Sequence, residues 1–303
     1  MTPGRFVAAI MEVAIIPSHP GPLARRRQLG AALRKHRTDA RLSLVEVANR
    51  LLLSPSKISR IESAQRNISA RDVRDLMDLY RITDPGTRDE LMRLVEESRE
   101  SAWWAQYNLE SAYQRLIGLE GAAATICDYQ IVTIPGLLQT PEYAAAVAAV
   151  WTDDPDRVKN AVDVRMVRQE LLAKGAALKV VVDESVLRRT VGSREIMRNQ
   201  IRKLIEVSGS GSRIEFQVLP FAAGAHNGAV SGFIVLQFPK SVAAGSAARM
   251  TDIVYLESVV GAGAYIEQPE EVNGYFEAFL GLQEKALDRP ATISFMEALL
   301  RDV

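Results

Sequence analysis

The chain has 303 residues, of which 48% are hydrophobic and 24% charged, and its 37 Lys and Arg balance its 37 Asp and Glu. This length and composition are typical of a soluble globular protein with about two domains. A single cysteine, Cys127, cannot form an internal disulfide, and three widely separated histidines argue against zinc, so we expect a cytoplasmic protein with no metal and no cofactor.

The N-terminal segment 1–22 contains an apolar run from Phe6 to Ile16 that Glu12 interrupts. No small-residue cleavage site follows this run, so we expect a flexible tail over residues 1–22 rather than a signal peptide. Elsewhere no run of about 18 uninterrupted apolar residues occurs, which argues against a membrane-spanning helix.

Positive charge is concentrated in one short module. Residues 23–71 hold twelve Lys and Arg against three Asp and Glu, and the rest of the chain holds 25 against 34. A polyanion should therefore be attracted to the N-terminal part and repelled elsewhere. We divide the chain into a helical head, residues 23–104, and a larger α+β region, residues 105–303, called the sheet domain.

The sequence of the head predicts five helices. Leucines four residues apart predict a first helix over 23–38, and Ser43 with Glu46 forms a capping box that starts a second helix over 44–51. Ser54 and Pro55 are the N-cap and first residue of a third helix. Ser69 and Asp84-Pro85 start the fourth and fifth helices, the last of which extends toward Trp103-Trp104. The second and third helices form a helix-turn-helix with a basic face.

The outward positions of the third helix are candidates for reading DNA bases. A helix N-terminus suits phosphates, hydroxyls donate or accept, and arginine pairs with guanine in the major groove. The predicted base contacts are Pro55, Ser56, Ser59 and Arg60. The predicted phosphate contacts are Arg25, Arg26, Arg27, Arg41, Ser54, Lys57 and Arg66. The alternative is that these are solvated positions on an ordinary surface helix.

Residues 29–80 resemble the Xre/phage-repressor type of helix-turn-helix. The resemblance implies an internal ion pair between Arg37 and Glu62. Arg41, Leu52 and Ala64 stand where that family usually has glycine at turns, and each is expected to cost about 1–2 kcal/mol if its φ is positive. Leu44 replaces a phosphate-binding glutamine of the family, which removes one DNA contact.

The sheet domain has mixed helical and strand patterns. Pro135-Gly136 predicts a turn, and Thr140-Pro141 starts a helix. The pattern then predicts strands over 178–183, 213–219, 232–238 and 253–257, helices over 157–174, 193–207 and 272–287, and a Ser-Gly loop at 208–212. We therefore expect an α+β fold with a sheet of about four strands.

The order of these features resembles the C-terminal domain of Xre-type regulators from actinobacteria that are called antitoxin-like. The residues that carry this resemblance are Trp104, 119–120, 135–143, 165, 168–172, 183–184, 187, 192, 197, 218–221, 224–226, 232–233 and 255–257. It implies a DNA-binding regulator whose C-terminal domain forms a homodimer and receives a signal from a small neighbour-encoded protein or a small molecule. The candidate effector or interface residues are Gln139, Arg165, Arg168, Asp183, Glu184 and His226.

No pattern indicates an enzyme. The acidic run at 153–156 precedes a charged helix, as capping residues do, and Asp183-Glu184 has no histidine beside it in sequence. His226 lies in a Gly-rich connector, where a general base is less common than a polar loop residue. Trp103-Trp104 is either a partner anchor or an apolar cover between domains, and we favour the cover.

Together these features predict a cytoplasmic homodimeric transcription regulator that binds double-stranded DNA at a palindromic operator. Two alternatives remain. In one, the protein is an antitoxin-like interaction module that binds a small neighbour-encoded protein and has weak or no DNA binding. In the other it senses a small molecule, which requires an enclosed pocket in the sheet domain.

Overall fold

The structure is a computed structural model that describes residues 21–173, 175–209, 213–228, 230–239, 250–258 and 263–302. Most of the predicted tail over 1–22 and part of the Ser-Gly loop at 208–212 lie outside the described residues. None of the described helices is long and apolar enough to cross a lipid bilayer.

The head consists of five helices, as predicted. They are α1 (Pro22–Asp39), α2 (Leu44–Leu51), α3 (Pro55–Glu62), α4 (Ala70–Leu79) and α5 (Pro85–Glu97), and a 3₁₀ turn follows at Trp103–Tyr107. Their apolar stripes meet in one core that includes Leu29, Val47, Ile58, Leu76 and Leu94, all at most 2% exposed. This core positions α3 with one face buried and the other in solvent.

The described residues of the sheet domain form six strands, so the expected number of about four was wrong. They are β1 (Thr125–Gln130), β2 (Ala177–Asp183), β3 (Ile214–Leu219), β4 (Phe233–Gln237), β5 (Ile253–Leu256) and β6 (Ala264–Ile266). The order across the sheet is β3-β2-β1-β4-β5-β6, with β1, β2 and β3 parallel and the β1–β4, β4–β5 and β5–β6 pairs antiparallel. The two missed strands are β1, which lies at the centre, and the short edge strand β6.

Within the described ranges, seven α-helices accompany this sheet. They are α6 (Ser111–Glu120), α7 (Pro141–Ala149), α8 (Pro155–Ala173), α9 (Glu184–Arg188), α10 (Arg194–Gly209), α11 (Pro269–Lys285) and α12 (Arg289–Asp302). Thr140 caps α7 as predicted, because its side-chain oxygen accepts a hydrogen bond from the Tyr143 amide at 3.2 Å. The Asp154 side chain similarly accepts a hydrogen bond from the Asp156 amide at 3.0 Å. The acidic run at 153–156 therefore caps the start of α8.

Both faces of the sheet are covered. Alternate residues of β1 point to opposite faces, so Ile126 packs in the cluster that holds Ile201 of α10 and Met296 of α12, while Cys127 packs with Phe279 of α11. Cys127 is a free, fully buried thiol, and burial raises its pKa to about 12. It therefore acts as a small core residue.

The head packs directly on the sheet domain. Trp104 is 5% exposed and clusters with Ile117 of α6 and Val164 of α8. A Cβ on Gly21 would lie 2.6 Å from the Trp104 ring, so α1 begins in close contact with this indole. Trp104 is thus an apolar cover at the junction between the two parts of the chain, as favoured from the sequence.

Candidate nucleic-acid interface

Hydrogen bonds at two helix starts hold α2 and α3 in place. The Ser43 side chain accepts from the Glu46 amide at 3.2 Å, and the Glu46 carboxylate accepts from the Ser43 amide at 2.7 Å. This is the predicted capping box. The Ser54 hydroxyl accepts from the Lys57 amide at 3.1 Å, so α3 also begins where the sequence predicted. The starts of both helices are therefore set by their own side chains.

The outer face of α3 is exposed along its length. Pro55, Ser56, Ser59 and Arg60 are all exposed, while Ile58 and Ile61 on the opposite face are buried. The Arg60 Nε donates to the Ser56 carbonyl oxygen at 3.2 Å, which directs the guanidinium along the helix toward its N-terminus. The four predicted base contacts thus lie together on one face of α3 that solvent, and therefore a ligand, can reach.

The structure contains the ion pair that the family resemblance implies. Arg37 donates to both Glu62 oxygens, from Nε at 2.7 Å and from a terminal nitrogen at 2.9 Å. Its other terminal nitrogen donates to the Leu42 carbonyl at 2.7 Å. This fork connects the end of α1, the following turn and the end of α3, and it occupies both charged groups within the head.

The turns at Arg41, Leu52 and Ala64, where the Xre type usually has glycine, adopt the left-handed backbone, as does Arg81 after α4. The φ angles are 56° at Arg41, 53° at Leu52 and 59° at Ala64. Backbone bonds across these turns still form, such as the one from the Leu53 amide to the Ala48 carbonyl at 2.9 Å. The conventional turn geometry is therefore kept despite the cost of a Cβ at each position.

The predicted phosphate contacts fall into two groups. Arg41, Ser54 and Arg66 are exposed, whereas Lys57 is partly buried and lies 3.2 Å from Asp72. Leu44, which stands where the Xre type often has glutamine, packs on the head core. The exposed cations therefore stand on the turns before α2 and after α3.

The three consecutive arginines of α1 pack against other residues of the protein. Arg25 pairs with Glu97 of α5 at 2.7 Å, and Arg27 pairs with Glu267 of the sheet domain. Burial lowers the pKa of Arg25, Arg26 and Arg27, and the paired carboxylates oppose this change for Arg25 and Arg27. All three side chains are partly buried at the base of the head.

The six candidate effector residues take part in several different contacts within the sheet domain. Gln139 bonds to the Ile134 carbonyl, Arg165 to the Ala161 carbonyl, and Asp183 caps α9 through the Ser185 amide. Glu184 accepts from the Phe221 amide at 2.8 Å, and His226 packs edge-on against Tyr129 with ring centroids 6.2 Å apart.

Arg168 belongs to a buried polar cluster instead. It donates to both Glu120 oxygens, at 2.9 and 2.7 Å, and to the Tyr113 hydroxyl. Asp128 on β1 is also buried, and desolvation raises its pKa to about 7 even though it accepts a hydrogen bond from Gln130 at 2.8 Å. The cluster holds α8 against α6 in the interior of the sheet domain.

Sequence reasoning did not predict a cavity of about 760 Å³ between the head and the sheet domain. Arg34 and Lys35 line it from α1, and Glu267 lines it from the opposite side. The two cations belong to the basic module, but no local signal connects them to a carboxylate more than 200 positions later. Only the packing of the two parts brings these groups together.

Comparison with known protein families agrees with the helix-turn-helix arrangement of α2 and α3. Residues 28–91 match the family described as Helix-turn-helix domain, and that match supports DNA binding. Residues 113–298, more than half of the chain, match the family described as Domain of unknown function (DUF5753). The chain belongs to this second family.

Two other comparisons add little. No curated protein matches the chain. A solved structure, that of TrmBL2, described as an archaeal chromatin protein with a novel mode of DNA binding, is similar at 12% identity. The match covers 78% of this chain and 72% of that chain with a TM-score of 0.30, which is too low to support an argument from fold.

Proposed function

We propose that this protein is a sequence-specific transcription regulator of the Xre type, acting as a cytoplasmic homodimer whose sheet domain receives a signal. The observation that carries the proposal is the exposed polar face of α3, formed by Pro55, Ser56, Ser59 and Arg60 on a buried apolar core. An α-helix with such a face fits the major groove, where each base pair presents its own pattern of donors and acceptors.

In this proposal the basic residues have different roles. Arg60 is the principal base reader, because a guanidinium pairs with guanine through two parallel hydrogen bonds. Arg41 and Arg66 contact phosphates from either side of α2 and α3, since both are exposed. Arg25 and Arg27 have structural roles, because their charges are already paired. Arg25 joins α1 to α5 through Glu97, and Arg27 joins the head to the sheet domain through Glu267.

In a homodimer the two heads contact half-sites about 34–36 Å apart on one side of a palindromic operator. No enzymatic step is needed in this function. Among the described residues no group of three or more His, Cys, Asp and Glu is placed to hold a metal ion.

The test is selection of bound duplexes from a random-sequence library, followed by affinity measurements on the selected site. Arg60→Ala should bind that site about 5- to 150-fold more weakly, which corresponds to about 1–3 kcal/mol, and should lose preference at one base pair. Arg157→Ala is the control, since Arg157 is 77% exposed on α8 and far from α3 in sequence. Unchanged base preferences in Arg60→Ala would refute the assignment.

A protein-interaction role is the second candidate, and one surface favours it. Val150 and Trp151, 77% and 69% exposed, stand at the turn between α7 and α8, the two helices that form a shallow apolar groove lined by Ala145 and Val158. Neighbouring exposed apolar groups that together form a patch are typical of contact surfaces. Sedimentation of Trp151→Glu distinguishes self-association from binding of another protein. If a dimer dissociates in this variant, the patch is the self-association surface. If the mass is unchanged, the patch is assigned to contact with another protein.

A further inference from the structure

The cavity between the head and the sheet domain has the size of a small-molecule site. Its volume of about 760 Å³ lies within the range of about 300–1,000 Å³ found for ligand pockets. One wall is α1, a second is the end of α3 with its following turn, and the third comes from residues 250–251 and 267–269 of the sheet domain. A molecule in this cleft would touch both parts of the chain.

The cleft carries an excess of positive charge. Arg27, Arg34 and Lys35 line it together, because positions i, i+7 and i+8 fall on the same side of a helix. Both lining carboxylates are neutralised: Glu62 is held by Arg37, and Glu267 is held by both Arg27 and Arg115.

Arg34 is the lining cation left for a ligand. Lys35 pairs with Asp39 at 2.6 Å, whereas Arg34 is exposed and forms no ion pair within the described ranges. The remaining lining includes apolar surface from Ala31, Ala64 and Met250. The cleft therefore combines a cation with an apolar wall.

We propose that this cleft binds a small organic anion that has an apolar body and a carboxylate, sulfonate or phosphate group, with Arg34 holding the anionic group. The ligand contacts the head and the sheet domain at once and so stabilises their observed arrangement. Its regulatory consequence rests on the proposed function in DNA binding.

The cleft is well placed to influence the DNA-binding face. Glu62 and Ser63, at the C-terminal end of α3, form part of its wall, and Ser56 lies near the other end of the same helix. At 1.5 Å per residue an eight-residue helix is about 12 Å long, so the two sites are one helix apart. A ligand that favours one orientation of the head changes the affinity for DNA, and DNA changes the affinity for the ligand by the same factor.

The binding test uses 8-anilinonaphthalene-1-sulfonate, an anion with an apolar ring system, titrated into the full chain without DNA. Fluorescence should report one saturable site. Arg34→Glu should weaken binding at least about tenfold because it replaces attraction with repulsion. Ala31→Trp should block the cleft by volume. Arg157→Glu and Ala173→Trp repeat the same changes on exposed α8 positions and should bind like the wild type.

Circular dichroism and thermal unfolding establish that each variant is folded, and the two cleft variants act by different means. Loss of binding in both, with retention in both controls, supports the site. An absence of saturable binding, or equal binding in all variants, overturns it. Because DNA is absent, this result does not depend on whether the protein recognises an operator.

A second titration tests the coupling. Saturating probe should shift the affinity of the wild type for its selected DNA site by about 5-fold or more, and Arg34→Glu should show no shift. A constant DNA affinity in the wild type overturns the regulatory part of the proposal. Failure to select any DNA site would instead refute the proposed function and leave the binding result intact.

Discussion

Replacing Leu52 with glycine should stabilise the protein. Leu52 ends α2 with φ 53° and ψ 40°, and its side chain is 93% exposed. A left-handed conformation costs a residue with a Cβ about 1–2 kcal/mol, whereas glycine adopts it without that penalty. Glycine also increases the entropy of the unfolded chain, which costs about 0.4–1 kcal/mol. The expected net gain is about 0.5–1 kcal/mol, since almost no burial is lost.

The assay is reversible unfolding in urea, with two comparison variants. Leu52→Ala keeps the Cβ and the strain, so its free energy of unfolding should stay within a few tenths of a kcal/mol of the wild type. Arg74→Gly places glycine at an exposed position within α4 and should cost about 0.5–1 kcal/mol. If Leu52→Gly destabilises the protein as much as Arg74→Gly does, the reasoning from backbone strain is wrong.

Three further outcomes are expected. Gly30→Ala should destabilise the protein by about 1–3 kcal/mol in thermal unfolding, because the new Cβ would lie 2.6 Å from the Glu62 carbonyl oxygen. Gly281→Ala is the control. No atom lies within 4 Å of its Cβ, so this change should be neutral or stabilising. Burial raises the pKa of Asp128 to about 7, so between about pH 4 and 7 the folded state holds a proton that the unfolded state has released, and stability falls as pH rises. Asp128→Asn should therefore exceed the wild type in stability by roughly 1–4 kcal/mol at pH 8, with a smaller advantage at pH 5. Arg66→Ala should reduce the slope of log affinity for DNA against log salt by about 1, whereas Arg25→Gln should leave the slope unchanged.

The head was predictable because its signals are local. The hydroxyl of Ser43 acts on an amide three residues later, and Ser54 does the same for α3. The apolar stripe of each helix repeats within a few residues, so the helices and the buried faces follow from short segments. The left-handed turns at Leu52 and Ala64 followed instead from the resemblance to the Xre type, which usually has glycine at these positions.

The sheet domain was predicted less completely, and β1 shows why. Its sequence, Thr125–Gln130, includes Asp128 and lies in an Ala-rich region, so neither alternation nor an unbroken apolar run marks it as a strand. It is the central strand because β2 and β4 pair with it from sequence positions far away, and helices cover both faces. A polar residue there is tolerated through a hydrogen bond from Gln130.

The sequence by itself determined the helix-turn-helix, its caps, its buried residues and the exposed face of α3, because those depend on interactions within one or two helical turns. Only the tertiary structure decided which cations remain available. Arg27 and Arg60 look alike in a count of charges, yet Arg27 meets Glu267 across 240 positions and Arg60 stays in solvent. Such pairing depends on how the head packs against the sheet domain, and no short-range pattern carries that information.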